Sequence, residues 1–319
     1  MVPTPVPQGL TFVVAKIVVL GSFNMDMTVF ADSLPQPGET VLGSNLLQSP
    51  GGKGSNQAIG AARLGAEVTF VGSVGRDGFG DQAMKIYESE NIDTTYVTRS
   101  HLPTGAALIV VDRGGENQIA VAPGANSELT PALVERAASV IEEADVLVGQ
   151  LETPLDGFMA AARIAQQAST LVILNPAPSQ ALPDELWPLV DVLTPNQHEL
   201  AQLAGVGDVE TAAQLLQQRG PSSIVVTRGA QGATIATANE VTSISSHDVD
   251  VVDSTGAGDA FTSALAVAIG DGDPIRAAVA FASKAGAYAV TRRGVLDGLG
   301  TRVDIDSVDA TTSGGELQG

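Results

Sequence analysis

One recurring pattern constrains this chain more than any other. Short, mostly apolar runs end in glycine or polar clusters, and segments of helical period separate them. Residues 17–20 (Ile-Val-Val-Leu) lead into Gly21-Ser22-Phe23-Asn24-Met25-Asp26. Residues 171–174 lead into Asn175-Pro176, 190–193 into Thr194-Pro195-Asn196, and 223–226 into Thr227-Arg228-Gly229. Runs such as 17–20 and 171–174, which have no polar face, are buried on both sides, as in parallel strands covered by helices. Further strands are expected at 67–71 and 146–151. Apolar spacing predicts helices over 56–64, 82–91, 133–143, 158–167, 200–204, 209–219 and 257–269. This alternation implies βαβ units and an α/β sheet, whose ligands bind just past the strands' carboxyl ends. The polar clusters sit there.

Two stretches break the rhythm. Residues 28–50 hold Pro35, Pro37 and Gly38 and carry no helical period. Residues 104–111 and 118–122 alternate around Asp112-Arg113-Gly114-Gly115-Glu116-Asn117, a hairpin signature. Together they predict a small second sheet. Residues 234–244 predict another hairpin.

The stretch with the most chemistry is Asp253-Ser254-Thr255-Gly256-Ala257-Gly258-Asp259, between a strand-like run at 249–252 and the helix at 257–269. Free N–H groups and the helix dipole make such a start an anion site. Asp259, on the first turn, either caps the helix or acts as a general base beside a bound phosphate. A second cluster, Gly51-Gly52-Lys53-Gly54-Ser55-Asn56-Gln57, opens the helix at 56–64. It fails the P-loop pattern, because Gly54 follows the lysine. It is either a tight turn with an N-cap or a close backbone approach to a polar ligand, with Lys53 and Asn56 as donors. Asn24 and Asp26 are turn formers or ligand contacts.

Composition narrows the partners. The net charge is −20, which disfavours nucleic acid and anionic membranes. Lysine occurs only at 16, 53, 85 and 284, so Lys53 within a glycine cluster stands out. With no cysteine there is no disulfide, thiolate metal site or cysteine nucleophile, which fits a cytoplasmic protein. No apolar run reaches the roughly 18 residues of a membrane span. The first residues lack the basic start of a signal peptide. Residues 1–14 and 304–319 are expected to be loose. His101, His198 and His247 match no metal spacing. Trp187, the only tryptophan, is expected to pack rather than contact a ligand.

Read in order, the clusters resemble one family. They are Gly-Ser-Phe-Asn-Met-Asp at 21–26, Pro-Gly-Glu-Thr at 37–40, and Gly-Gly-Lys-Gly-Ser-Asn-Gln-Ala at 51–58. Gln-Leu-Glu-Thr-Pro at 150–154, Asn-Pro-Ala-Pro at 175–178 and Thr-Pro-Asn-x-x-Glu at 194–199 follow. Thr-Arg-Gly-x-x-Gly at 227–232, the 253–261 stretch and Thr-Arg-Arg-Gly at 291–294 close the set. The chain resembles the ribokinases of the ribokinase-like (PfkB) carbohydrate kinase family over about 16–300.

The resemblance implies a three-layer α/β/α fold with a mostly parallel central sheet and a small β-sheet lid. The kinase domain would be 15–303, the lid about 28–50 and 104–124, and the lid sheet would join a homodimer. It implies transfer of the ATP γ-phosphoryl group to the 5-hydroxyl of ribose. Asn24, Met25, Asp26, Gly52, Lys53, Gly54, Ser55, Asn56 and Glu152 would hold the sugar. Asp259 would be the base, with the N–H groups of Gly256, Ala257 and Gly258 facing the phosphoryl oxygens. Asn196, Thr227, Arg228, Gly229, Ala230, Gln231, Gly232, Gly258 and Ser283 would meet the nucleotide, and Glu199 the Mg²⁺ region. Asp253, Thr255, Ala289, Arg292, Gly294 and Gly298 align with the ligands of a monovalent cation, usually K⁺. Gly298 stands where many relatives place a Ser. Rival readings are a kinase of 2-deoxyribose, fructose, a nucleoside or pseudouridine, and a catalytically idle sugar-binding protein. A dinucleotide oxidoreductase is remote, since no G-x-G-x-x-G follows the first strand.

Overall fold

In the computed structural model, which describes residues 14–308, the apolar run at 17–20 forms β1 (Lys16–Leu20). Its apolar residues go alternately to two cores, Ile17 and Val19 to one and Val18 and Leu20 to the other. Such a strand requires a helical layer on each face.

The chain continues through β2 (Asn24–Phe30), β3 (Leu47–Gly51), α1 (Lys53–Arg63), β4 (Glu67–Gly75), α2 (Gly78–Ser89) and β5 (Val97–Ser100). Next come β6 (Gly105–Val111), β7 (Asn117–Ala122), α3 (Pro131–Glu135), α4 (Ala138–Glu142), β8 (Val146–Gly149), α5 (Leu155–Ala168), β9 (Leu171–Leu174) and β10 (Val192–Leu193). The last part holds α6 (Gln197–Ala204), α7 (Val209–Gln217), β11 (Ser223–Thr227), β12 (Ala233–Thr237), β13 (Val241–Ile244), α8 (Ala257–Gly270), α9 (Ile275–Val290), α10 (Val295–Gly298) and α11 (Arg302–Asp306).

Nine strands form the main sheet in the order β13-β12-β11-β10-β9-β8-β1-β4-β5. All its pairs are parallel except β11–β12 and β12–β13. One core joins α1, α2, α8 and α9 to the sheet, and the other joins α3, α4, α5 and α7. The second sheet, β3-β2-β6-β7, stands apart, as the broken rhythm of 28–50 and 104–122 predicts. It takes in Asn24 to Met27 as well, because β2 starts at Asn24. The strand order reverses at β1. The chain first builds outward through β4 and β5, then returns to β8 on the other side. That switch point opens a crevice at the carboxyl ends of β1 and β8.

Three expectations change, and two elements are new. Residues 249–252 form no strand: Val251 and Val252 are 70% and 54% exposed, and the N–H groups of Val252 and Asp253 bond to the Val290 carbonyl. The helix expected at 133–143 is split, because the bonds tighten to i→i−3 at Arg136 and Ala137. Order extends past 304, since α11 buries Ile305. β5 and α9 have no counterpart in the sequence reading; β5 is a half-exposed edge and α9 is too rich in alanine to show a stripe. The expected loose ends at 1–13 and 309–319 lie outside the described residues. Trp187 does pack, 2% exposed, with the Arg219 guanidinium 4.2 Å above its ring. Among the described residues no helix is long and apolar enough to cross a membrane.

Candidate active site

The switch point brings together the turns after β1 and β8. Ser22 Oγ donates to Glu152 Oε2 at 2.5 Å, and the Lys53 N–H donates to the same oxygen at 2.9 Å. Glu152 thus keeps its second oxygen for a ligand. Gly52 precedes α1 with φ of 91°, and a Cβ there would lie 2.7 Å from the Asn24 nitrogen. Only glycine permits both that backbone angle and that approach.

α1 then delivers two amides to one carboxylate. Asn56 Nδ2 donates to Asp259 Oδ2 at 2.8 Å, and Gln57 Nε2 donates to Asp259 Oδ1 at 2.9 Å. Asp259 stands in the first turn of α8, 6% exposed. Gly256 initiates that helix with φ of 79°, and a Cβ on it would strike Val295. The Ala257 N–H is engaged by the Ser254 carbonyl at 3.3 Å. Among the described residues, the N–H groups of Gly256 and Gly258 carry no such bond.

Asp259 lines a polar cavity of about 220 Å³ with Lys53, Asn175, Asn196, Glu199, Gly256 and Gly258. The charges around it are coupled. Burial pulls the Lys53 ammonium down, but the carboxylates of Asp259, Glu152 and Glu199 together hold it above its ordinary value. Burial, then the negative charges of Glu152 and Asp259, push the Asp26 carboxyl from 3.8 to about 6. Burial likewise raises Glu199, with the Asn196 N–H and the Lys53 charge only partly opposing.

Asn24 and Asp26 reach this region from β2 but do not line the cavity itself. Asn24 is buried, its Oδ1 held by Asn126 Nδ2 at 2.9 Å, so the group left to it is an NH₂ donor. Three expected sugar contacts lie elsewhere. Met25 alternates to the opposite face of β2 and packs in the core. Gly54 sits against the Ser22 and Gly21 backbone, where any Cβ would clash. Ser55 is 1% exposed, with its N–H on the Ser22 carbonyl.

A second cavity, of about 670 Å³, adjoins the first; Thr227, Ser254 and Gly258 line both. Gly229, Ala230 and Gly232 supply one wall from the β11–β12 turn, and Ser283 another from α9. Ser283 Oγ is buried without a hydrogen-bond partner. Arg228 and Gln231 are absent from this lining, because Arg228 Nη2 donates to Gln231 Oε1 at 2.7 Å and Nη1 to Thr234 Oγ1 at 3.2 Å. Asn196 and Glu199 form a reciprocal capping box at the start of α6, which leaves Glu199 one free oxygen.

The residues aligned with a cation site are partly gathered. Asp253 Oδ1 accepts from the Thr255 N–H at 2.9 Å and its hydroxyl at 2.7 Å, and Oδ2 accepts from the Gly294 N–H at 2.9 Å. Burial opposes these bonds, but they hold the Asp253 carboxyl below the usual range. Arg292 turns away, its guanidinium 4.9 Å over the Tyr288 ring. Ala289 is buried, and a Cβ on Gly298 would lie 3.2 Å from the Ala289 carbonyl oxygen. Among the described residues no group of three or more histidines or carboxylates could hold a metal.

Sequence reasoning gave no role to Gln57, Gln150, Asn126 or Asn175. The first two and Asn175 lie within the quoted clusters, but an amide in a chain segment gives no sign of what it will face in the fold.

The model for pfkB family carbohydrate kinases matches residues 14–302. The ribokinase of Haemophilus influenzae is 38% identical over 292 residues, covering 90% of this chain and 95% of its own length. The deoxyribokinase of Salmonella typhi is 33% identical over 285 residues, with 87% and 93% covered. The ribokinase of Arabidopsis thaliana complexed with ribose and ATP superimposes with a TM-score of 0.86 at 29% identity, over 92% of this chain and 98% of that one. A match of this extent, on a fold whose switch point gathers a carboxylate, a lysine and a glycine-led helix start, assigns the family: the chain belongs to the pfkB carbohydrate kinases.

Proposed function

We propose that the protein phosphorylates D-ribose at its 5-hydroxyl with ATP, and that Asp259 is the general base. The observation that carries this reading is the meeting of two cavities at the start of α8. One is polar and holds Asp259 and Lys53; the other is larger and lined mainly by small and apolar groups. A sugar and a nucleotide of complementary chemistry would face each other across Gly258. Two orphaned buried atoms support the fit. Asn56 Oδ1 lacks a donor, which a sugar hydroxyl would supply, and Ser283 Oγ lacks a partner, which an adenine nitrogen would supply.

In the reaction the sugar 5-oxygen attacks the γ-phosphorus as the bond to the β-phosphate oxygen breaks. The hydroxyl proton passes to Asp259, and ADP leaves. The attacking hydroxyl becomes acidic only as bonding to phosphorus develops, so an ordinary carboxylate suffices. The Gly256 and Gly258 N–H groups and the α8 dipole would face charge on the transferred group. Glu152, Asp26 and the Asn24 amide would orient the sugar hydroxyls. Mg²⁺ would supply phosphate charge neutralisation; Glu199 with Asn196 would hold it through water, since Mg²⁺ gives up its waters reluctantly. Asp253 and the carbonyl groups of its loop, with Ala289 and Gly294, would hold a monovalent cation beside the anion site. The small sheet would close over the sugar, and its outer face would join two copies of the chain.

Replacing Asp259 with Asn is expected to cut turnover by about 10³-fold or more while the ribose KM stays within a few fold. Coupled ADP release measures both, and near-normal turnover would remove Asp259 from this role. A second reading, 2-deoxyribose as preferred substrate, draws on the deoxyribokinase relative. A kcat/KM for 2-deoxyribose above that for ribose would establish it.

A further inference from the structure

The Asp259 carboxylate is held by an amide whose own orientation is dictated from a distance. The Thr194 carbonyl can only accept, and Asn175 Nδ2 donates to it at 2.8 Å. Asn175 must therefore turn its Oδ1 the other way, where Gln57 Nε2 donates to it at 3.2 Å. With its NH₂ fixed on that side, Gln57 gives its other N–H to Asp259 Oδ1 at 2.9 Å. Its Oε1 then faces Gln150 Nε2, which donates at 2.7 Å. Gln57 and Gln150 are each 1% exposed and Asn175 is 7% exposed. No rotation of any one amide satisfies its neighbours, so a single arrangement survives.

This relay has a cost that folding alone does not explain. Four polar side chains are withdrawn from water beneath the sheet's carboxyl edge, and Gln150 Oε1 is left without a partner. Apolar side chains of similar volume would pack there more cheaply. The network draws its residues from four elements: α1, the turn after β8, the turn after β9 and the turn after β10. It ends on the carboxylate that the proposed reaction uses.

We propose that Gln57, held by Asn175 and Gln150, is a positioning residue that fixes the rotamer of Asp259 toward the sugar hydroxyl. It has no contact with substrate; it acts through Asp259. The inference rests on the reading of Asp259 as the base.

The test is a cycle on turnover. Gln57→Met keeps the length of the side chain and removes the donor. It is expected to lower kcat about 10- to 100-fold, with the ribose KM changed less than about threefold. In the Asp259→Asn background the same substitution is expected to leave the residual single-turnover rate unchanged, because the group it positions is gone. A merely structural role would lower that rate again by the same factor, and this outcome overturns the proposal. Gln150→Met, one step back, should give a smaller loss that also vanishes in that background. Far-UV circular dichroism and the thermal midpoint separate misfolding from mispositioning; if Gln57→Met does not fold, Gln150→Met carries the test alone. An unchanged kcat in both variants overturns the positioning role and leaves Asp259 as base. Near-normal turnover in Asp259→Asn alone overturns both.

Discussion

At the scale of single residues, Asp26 is a carboxylate whose burial costs stability. Burial beside Glu152 and Asp259 raises its carboxyl to about 6 in the fold, against 3.8 for an ordinary Asp. Above pH 6 the group is ionised in both folded and unfolded chains, and the fold bears the full cost of burying it. Below 3.8 it is neutral in both, and the cost disappears. Its contribution therefore makes stability fall as pH rises from 3.8 to about 6, by up to about 3 kcal/mol. Asp26→Asn is expected to raise the thermal midpoint at pH 7.5 by roughly 5 °C, and to leave it nearly unchanged at pH 4. The same substitution would remove the charged acceptor proposed for sugar hydroxyls, and the ribose KM should then rise roughly 10- to 100-fold. A lower midpoint at pH 7.5 would show that Asp26 stabilises the fold, contrary to this account.

At the scale of elements, the site depends on α1 and α8 lying close enough for Asn56 and Gln57 to reach Asp259. Gly60 sets that distance. A Cβ on it would meet the Ser263 hydroxyl and lie 2.9 Å from Ser263 Cβ, on the α8 side of the contact. Gly60→Ala is expected to lift α1 from α8, destabilising by about 1–3 kcal/mol and lowering kcat by about 10-fold or more. Adding Ser263→Gly removes the obstacle and should restore most of both losses in denaturant melts and steady-state rates. Failure of the second change to rescue would place the effect of Gly60 elsewhere. Elements also mark the limit of what the sequence discloses. β1, β9 and β11 are legible because three or four consecutive apolar residues admit few alternatives. Residues 249–252 (Val-Asp-Val-Val) look similar locally, but the Val252 and Asp253 N–H groups bond to the Val290 carbonyl at the end of α9, and Val249 and Val251 line the larger cavity instead of joining the sheet. Asp259 is legible from its glycines. Its partner Gln57 is not, because its role arises from Asn175 and Gln150, some hundred residues away in sequence.

At the scale of the whole molecule, the small sheet is a surface that a lone chain has little reason to keep. All six residues of β7 are exposed, with Ile119 at 56% and Val121 at 54%, and Leu108 of neighbouring β6 is at 55%. An exposed strand with apolar side chains is an edge that proteins ordinarily blunt with charge, yet no charged residue lies within β7. A second copy of the same sheet would cover it. Two chains of net charge −20 repel one another, so such a contact must draw on apolar burial against that repulsion. Two outcomes follow, both read by sedimentation velocity. Added salt should strengthen the association, since screening weakens the repulsion and leaves the apolar term; raising NaCl to about 0.5 M shortens the Debye length to a few ångström. Ile119→Lys should yield monomer at concentrations where the unmodified chain is a dimer. The monomer should bind ribose more weakly, because the sheet proposed to close over the sugar would lose its support, while the Asp259 region stays folded. A protein that sediments as a monomer at all salt concentrations would exclude the dimer. Dissociation on adding salt would mean that the contact is held by ion pairs instead.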